Sequence, residues 1–200
     1  MNHWEQRYQS KEYMYGTEPN QFLSDILPEL NVRGKVLAIA EGEGRNAVFL
    51  AEKGLQVHAW DYAQAGLDKT NKLAQSKGVT VQTELKDLSD VDWVENQWDA
   101  VVCIFGHFPK ETRDKTLEGI LRAVKPGGYF ITEVYAVEQL NYGSGGPKSE
   151  EFMYKEEDFL DGFKNWDSRH FFKGEVERYE GKLHNGLSHV IQYAGQKPYE

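Results

Sequence analysis

Cysteine is nearly absent: Cys103 is the only one in 200 residues. A lone cysteine forms no intramolecular disulfide and supplies no cysteine-based zinc site. Long apolar runs are missing as well. No stretch approaches the ~18 apolar residues of a membrane span, so no membrane partner is expected. Basic residues are outnumbered, 23 Lys and Arg against 32 Asp and Glu, for a net charge of -9. That balance argues against a general nucleic-acid binder, which needs clustered Lys and Arg against phosphates. Residues 1–8 lack the apolar core of a signal peptide, and a cytoplasmic location is the expectation. No repeat, low-complexity segment or linker divides the chain. The remaining composition, 40% hydrophobic and 28% charged, is that of one globular domain with a sizeable core.

The stretch that organises the chain is 35–51. Residues 36–40 (VLAIA) form a short apolar run of the kind a buried strand uses. Gly42 and Gly44 then permit a tight turn and close approach of a ligand to the backbone. Ala47, Leu50 and Ala51 follow at helical spacing, and Gly54 stands where a helix stops. Further strands are predicted over 54–61, 79–83, 98–104 and 129–134. Helices are predicted over 63–76 and 112–124, the latter from Leu117, Ile120, Leu121 and Val124. Strands alternating with helices imply right-handed crossovers and a parallel sheet. Beyond Tyr135 a glycine-rich loop (141–148) and a short acidic helix (155–163) precede two strands, 170–178 and 187–196. Asn185-Gly186 is the strongest hairpin signal in the connection between them.

The run Gly42-Glu43-Gly44-Arg45-Asn46-Ala47 matches G-x-G-x-x-G/A, with Asp61 about 20 residues on. Two ligands suit it: a nicotinamide or flavin dinucleotide, and S-adenosylmethionine (SAM). Charge separates them. A pyrophosphate would face Glu41 and Glu43, at a cost of order ~4 kcal/mol for a carboxylate at ~4 Å in an effective dielectric near 20. The sulfonium and ammonium of SAM would be attracted. Asp61 at a strand end offers two oxygens to ribose hydroxyls. Asp87 can take an adenine amino proton while Leu88 packs on the ring. Both carboxylates follow consecutive parallel strands, where ligands of such sheets bind.

These residues resemble the class I SAM-dependent methyltransferases, and more closely the branch holding the tellurite-resistance and thiopurine enzymes. The resemblance rests on residues 41–51, 57–61, Asp87-Leu88, the Lys-Pro-Gly-Gly turn at 125–128, and 15–20, and it covers most of 4–135. It implies a Rossmann-like three-layer α/β sandwich with a mostly parallel seven-stranded sheet and an antiparallel C-terminal hairpin. It also implies SAM as cofactor and, at the level of family only, a sulfur, selenium or tellurium nucleophile. One departure stands out: the family's first acidic residue is Ala38 here and a motif glycine is Ala40, so Glu41 is the candidate replacement.

The expected parts are a helical lid (1–30), a cofactor core (35–135), a substrate loop and helix (136–165) and a terminal hairpin (166–200). Cofactor contacts are assigned to Glu41, Gly42, Gly44, Arg45, Asn46, Asp61, Tyr62, Asp87, Leu88, Phe105 and Gly106. Trp4, Tyr13, Tyr15, Phe108, Glu133, Tyr135 and Tyr142 are assigned to a substrate pocket and its lid, beside a structural alternative as core-edge aromatics. Methyl transfer is an in-line displacement that needs alignment and desolvation more than acid–base chemistry. His107 is the candidate to orient the nucleophile or take its proton, against a structural role at a helix start. The expected partner is a small molecule. A dinucleotide oxidoreductase and a non-catalytic SAM-binding protein are the alternatives. No metal is indicated, and self-association is not addressed by the sequence.

Overall fold

A computed structural model describes residues 2–200. Its sheet holds seven strands: β1 (Lys35–Ile39), β2 (Gln56–Asp61), β3 (Val81–Leu85), β4 (Trp98–Ile104), β5 (Val124–Tyr135), β6 (Asp167–Glu180) and β7 (His184–Gln196). Their order is β3-β2-β1-β4-β5-β7-β6. The pairs from β3 through β5 are parallel, and β7 lies antiparallel to both β5 and β6. The sheet reverses direction of growth at β1, with β2 on one side and β4 on the other. Ligands of open α/β sheets bind outside the strand ends at such a point.

Helices α1 (His3–Tyr8), α2 (Gln21–Ile26), α3 (Arg45–Glu52), α4 (Gln64–Ser76), α5 (Lys110–Ala123) and α6 (Glu157–Leu160) complete the layers. Strand side chains alternate between faces, so β1 supplies both cores. Val36 and Ala38 pack with Leu23, Ala47, Leu50 and Leu73 from α2, α3 and α4. Leu37 and Ile39 pack with Ile120, Ala123, Phe159 and Tyr193 on the α5 and α6 side. Cys103 in β4 belongs to this second core, 3% exposed, and burial pushes its thiol up to about 12.

Local chemistry explains the boundaries. Asn2 caps α1 by accepting from the Glu5 amide, and Asn20 caps α2 by accepting from that of Leu23. Pro19 immediately precedes the cap of α2. The Lys125-Pro-Gly-Gly segment is drawn into β5 through a register shift opposite β4, so this strand starts five residues before the predicted 129.

The hairpin connection differs from expectation. Glu180 pairs with His184, which leaves only Gly181, Lys182 and Leu183 as the turn. Asn185 and Gly186 lie inside β7, opposite Tyr179 and Arg178, and the Asn185 amide donates to the Gly181 carbonyl. A glycine at φ +67 makes this three-residue turn possible, and long-range pairing overrides the Asn-Gly signal.

Candidate active site

The two glycines of the turn after β1 are close-packed against α1 and α4. Gly42 and Gly44 adopt φ +64 and +95. A Cβ on Gly42 would meet the Tyr8 hydroxyl oxygen at 2.8 Å, and one on Gly44 would meet Thr70 Cα at 2.7 Å. Ala40 holds φ +49, a conformation that strains a residue with a Cβ. Ala40 stands where the resemblance expects a glycine and still holds the left-handed conformation.

The two glutamates of the turn do different things. Glu41 caps α3, its Oε1 accepting from the amides of Asn46 (3.0 Å) and Ala47 (2.7 Å). Loss of water around it raises its carboxyl to about 7, against the lowering effect of those amides and Arg45. Glu43 does not face the ligand side. It is buried, accepts from the Met14 amide at 2.8 Å and pairs with Lys69. The charge argument for the turn therefore rests on Glu41 and Asp61, and not on Glu43. Arg45, assigned to the cofactor, is committed to Glu180 at 2.7 Å. Asn46 accepts from the Asn20 amide at 2.8 Å.

Asp61 closes the turn from β2. Its Oδ2 accepts from the Gly42 amide (2.8 Å) and its Oδ1 from that of Ala63 (2.9 Å). It is 6% exposed, and burial raises its carboxyl above the usual range. The Tyr62 amide also acts on this carboxylate, which keeps lone-pair capacity beyond these backbone bonds. Asp87 follows β3, exposed, with one oxygen accepting from the Ser89 amide and hydroxyl. Leu88 is buried in the second core, and Tyr62 stands exposed beside Asp61. Helix α1 covers this region. Tyr8 lies over Gly42 and stacks on Trp4 at 5.7 Å, while Arg7 sits over the Trp4 ring and donates to the Tyr15 hydroxyl.

At the end of β4, Phe105 holds φ +51, an outlying conformation for a bulky residue that favours a functional reading. Its amide donates to the Glu133 carbonyl. Its ring stacks on Tyr135 at 4.6 Å and meets His184 edge-on at 4.5 Å. Tyr15 closes the group against His184 at 4.6 Å. Gly106 admits nothing larger, since a Cβ there would lie 2.5 Å from the Cys103 sulfur and 3.0 Å from the Phe108 ring.

His107 is not placed as a base. Its Nδ1–H donates to the Phe152 carbonyl at 2.7 Å, and its Nε2 accepts from the Tyr135 amide at 3.2 Å. Burial lowers its pKa to about 4, so it is neutral with both nitrogens occupied. The residue that sequence reasoning missed is His184. It is 9% exposed, burial lowers its pKa to about 3, and its Nδ1 has no partner among the described residues. No local pattern marks it; only pairing with Glu180 brings it beside Phe105.

Two other pocket assignments move. Tyr142 donates to Glu175 and contacts His189, outside the Phe105–Tyr135–His184–Tyr15 group. Glu133 is fully buried. Its carboxylate accepts from Asn20 (2.9 Å), Arg178 (2.9 Å) and Gln192 (2.6 Å) and is unavailable to a ligand. Tyr13 bonds the Lys69 carbonyl, at the lid's contact with α4.

The strand order, the glycine turn after β1 and the carboxylates at the end of β2 and after β3 match the arrangement of a class I SAM-dependent methyltransferase domain. Residues 36–128 match the family model described as a methyltransferase domain. The 2-heptyl-1-hydroxyquinolin-4(1H)-one methyltransferase of Mycobacteroides abscessus is 26% identical over 121 residues, 59% of this chain and 53% of that protein. The probable SAM-dependent methyltransferase TehB of Haemophilus influenzae is 24% identical over 135 residues, 66% of this chain and 46% of that protein. The chain thus spans about half the length of these relatives. The TehB crystal structure superposes with a TM-score of 0.72 at 17% identity, covering 97% of this chain and 65% of that one. A structure solved for the conversion of a disulfide bond into a thioacetal group during echinomycin biosynthesis gives 0.74 at 16% identity, covering 96% and 87%. Both likenesses concern the fold. SAM is the cofactor of this domain class. No helix among the described residues is long and apolar enough to cross a membrane.

Proposed function

We propose that this chain methylates a small-molecule nucleophile with SAM, at the pocket edge formed by Phe105, Gly106, Tyr135 and His184. The observation that supports it most is the strained Phe105, held with an unpartnered His184 nitrogen at the end of β4.

The residues fit the cofactor. Asp61 would take the ribose hydroxyls on its remaining lone pairs, Asp87 and Leu88 the adenine, and Glu41 the amino acid end. The turn leaves no cation free for a pyrophosphate, because Arg45 bonds Glu180 and Lys69 bonds Glu43. When bound, SAM supplies an electrophilic methyl group. The chain's own part is to align the acceptor, exclude water behind Tyr8, Tyr15 and Tyr135, and offer His184 Nδ1 to an acceptor O–H, N–H or S–H. Neutral His184 suits that role across the physiological range. Thiols, selenols and reduced tellurium species are the first acceptors to try. Support comes from the resemblance to the tellurite-resistance branch and the sulfur chemistry named for the echinomycin-pathway neighbour.

The test is S-adenosylhomocysteine (SAH) formation from SAM with thiol, selenium, tellurium and hydroxyquinoline acceptors, followed by mass spectrometry. Methylated product above the no-enzyme rate supports the reading. SAM binding without turnover on the whole set would leave the non-catalytic binder as the better account.

A pH dependence follows from Glu41. Its folded pKa is raised, so it is mostly protonated at pH 6 and ionised at pH 8. SAM carries positive charge, so affinity should rise by about tenfold over that interval. Calorimetry at several pH values, with Glu41→Gln giving a flat profile, checks it. In the apo protein the sign is opposite: the folded state holds the proton more tightly, so the Glu41 contribution to stability declines as pH rises from 4.5 toward about 7.

A further inference from the structure

Residues 12–21 form a strap that joins α1 to α2 and touches two separate parts of the molecule. On one side it is bonded to the cofactor turn and α4. The Met14 amide donates to Glu43, Lys69 donates to the Glu12 carbonyl, and the Asn20 amide donates to Asn46. On the other it is gripped by the hairpin tip. The Lys182 amide donates to the Met14 carbonyl at 2.8 Å, Lys182 Nζ pairs with the Glu12 carboxylate, and the Gln21 amide donates to Glu180 at 2.9 Å. Glu180 in turn reaches back to Arg45 at the start of α3.

The fit at Gly181 is tighter than any side chain allows. A Cβ there would lie 2.3 Å from the Tyr15 carbonyl carbon and 2.5 Å from the Gly16 nitrogen. Pairing between β5 and β7 ends at Tyr135 opposite Val190, whereas β6 and β7 stay paired out to Glu180 and His184. Residues 175–189 therefore lie beyond β5 as a two-stranded ribbon, which has little stability of its own. It is held by bonds with segment 136–145, such as the His189 amide to Gln139 and the Ser144 hydroxyl to the Leu187 carbonyl, and at its tip by the strap.

We propose that the hairpin tip, Gly181 flanked by Glu180 and Lys182, is the latch that holds the N-terminal strap shut over the cofactor turn. Cofactor exchange and product release then require the tip to let go of the strap. The same movement withdraws His184 from Tyr15 and opens the acceptor edge, so one event governs access to both sites. This rests on the SAM reading of the turn. One contact of the latch is ionic and solvent-facing: the Glu12 and Lys182 side chains are 64% and 56% exposed, whereas the Glu180–Arg45 pair is buried. Salt should therefore loosen it.

Stopped-flow binding and displacement of SAH, with wild type, Gly181→Val and the double variant Glu180→Gln/Lys182→Ala, tests the latch. Gly181→Val should accelerate both association and dissociation, the latter by about tenfold or more, as expected for loss of one or two charge-assisted contacts and their packing. Trypsin should also cut faster after Lys11. Loss of folded protein cannot raise an association rate, so the two rates separate unlatching from damage. Wild-type dissociation should quicken with salt and that of the double variant should not. If Gly181→Val fails to give a cooperative melt, the double variant decides by the same rates. Wild-type exchange rates in folded variants would overturn the latch. Absence of SAH binding to wild type would overturn the SAM reading itself, and the latch with it.

Discussion

Glu133→Ala is expected to lower the unfolding free energy by about 3–5 kcal/mol, among the largest effects of any single substitution in this chain. The carboxylate is fully buried and is the ion-pair partner of Arg178, whose side chain is 13% exposed. Removing it leaves the Arg178 guanidinium only Glu180, at 3.6 Å, and the Asn20 amide only the same carboxylate at 3.3 Å, and takes from the Gln192 amide its acceptor. The three donors come from the strap, β6 and β7, so the loss spans elements distant in sequence. Glu133→Gln keeps the shape but not the charge and should recover part of the stability. Urea unfolding followed by circular dichroism reads the result. A loss below ~1 kcal/mol for the alanine variant would show that water replaces the carboxylate and that the network is not needed.

Asp61→Ala should weaken SAM binding by about a hundredfold, or roughly 3 kcal/mol, the value of two hydrogen bonds to a charged acceptor. Part of the effect is indirect. The same carboxylate holds the amides of Gly42 and Ala63, so its removal loosens the turn and the start of α4 as well as the ribose contact. Asp61→Asn separates these. Its amide oxygen still accepts one of the two backbone bonds, and its affinity should fall between the other two proteins. Titration calorimetry with SAH checks it; equal affinities for wild type and Asp61→Ala would remove Asp61 from the site.

Much of the fold was legible in local pattern because the signals there are local. The β1–glycine–α3 unit, β4 and α5 follow from apolar runs, helical spacing and stop residues, and β4 matches its predicted bounds of 98–104. The carboxylates after β2 and β3 were legible for the same reason. What failed depends on distant partners. Nothing near Glu43 announces Lys69 or Met14, and nothing near His107 announces the Phe152 carbonyl that occupies it. Asn185-Gly186 reads as a turn until Glu180 pairs with His184 and moves the turn to Gly181. That one register choice also sets His184 beside Phe105 and Arg178 beside Glu133, contacts that no local pattern announces.

The solitary Cys103 has a practical consequence. Its thiol lies within β4, pressed against Gly106, and burial holds it protonated at ordinary pH. A thiol reagent reaches it only when the sheet opens, so the rate of labelling is a built-in clock for unfolding, with no engineered probe and no second thiol to confuse it.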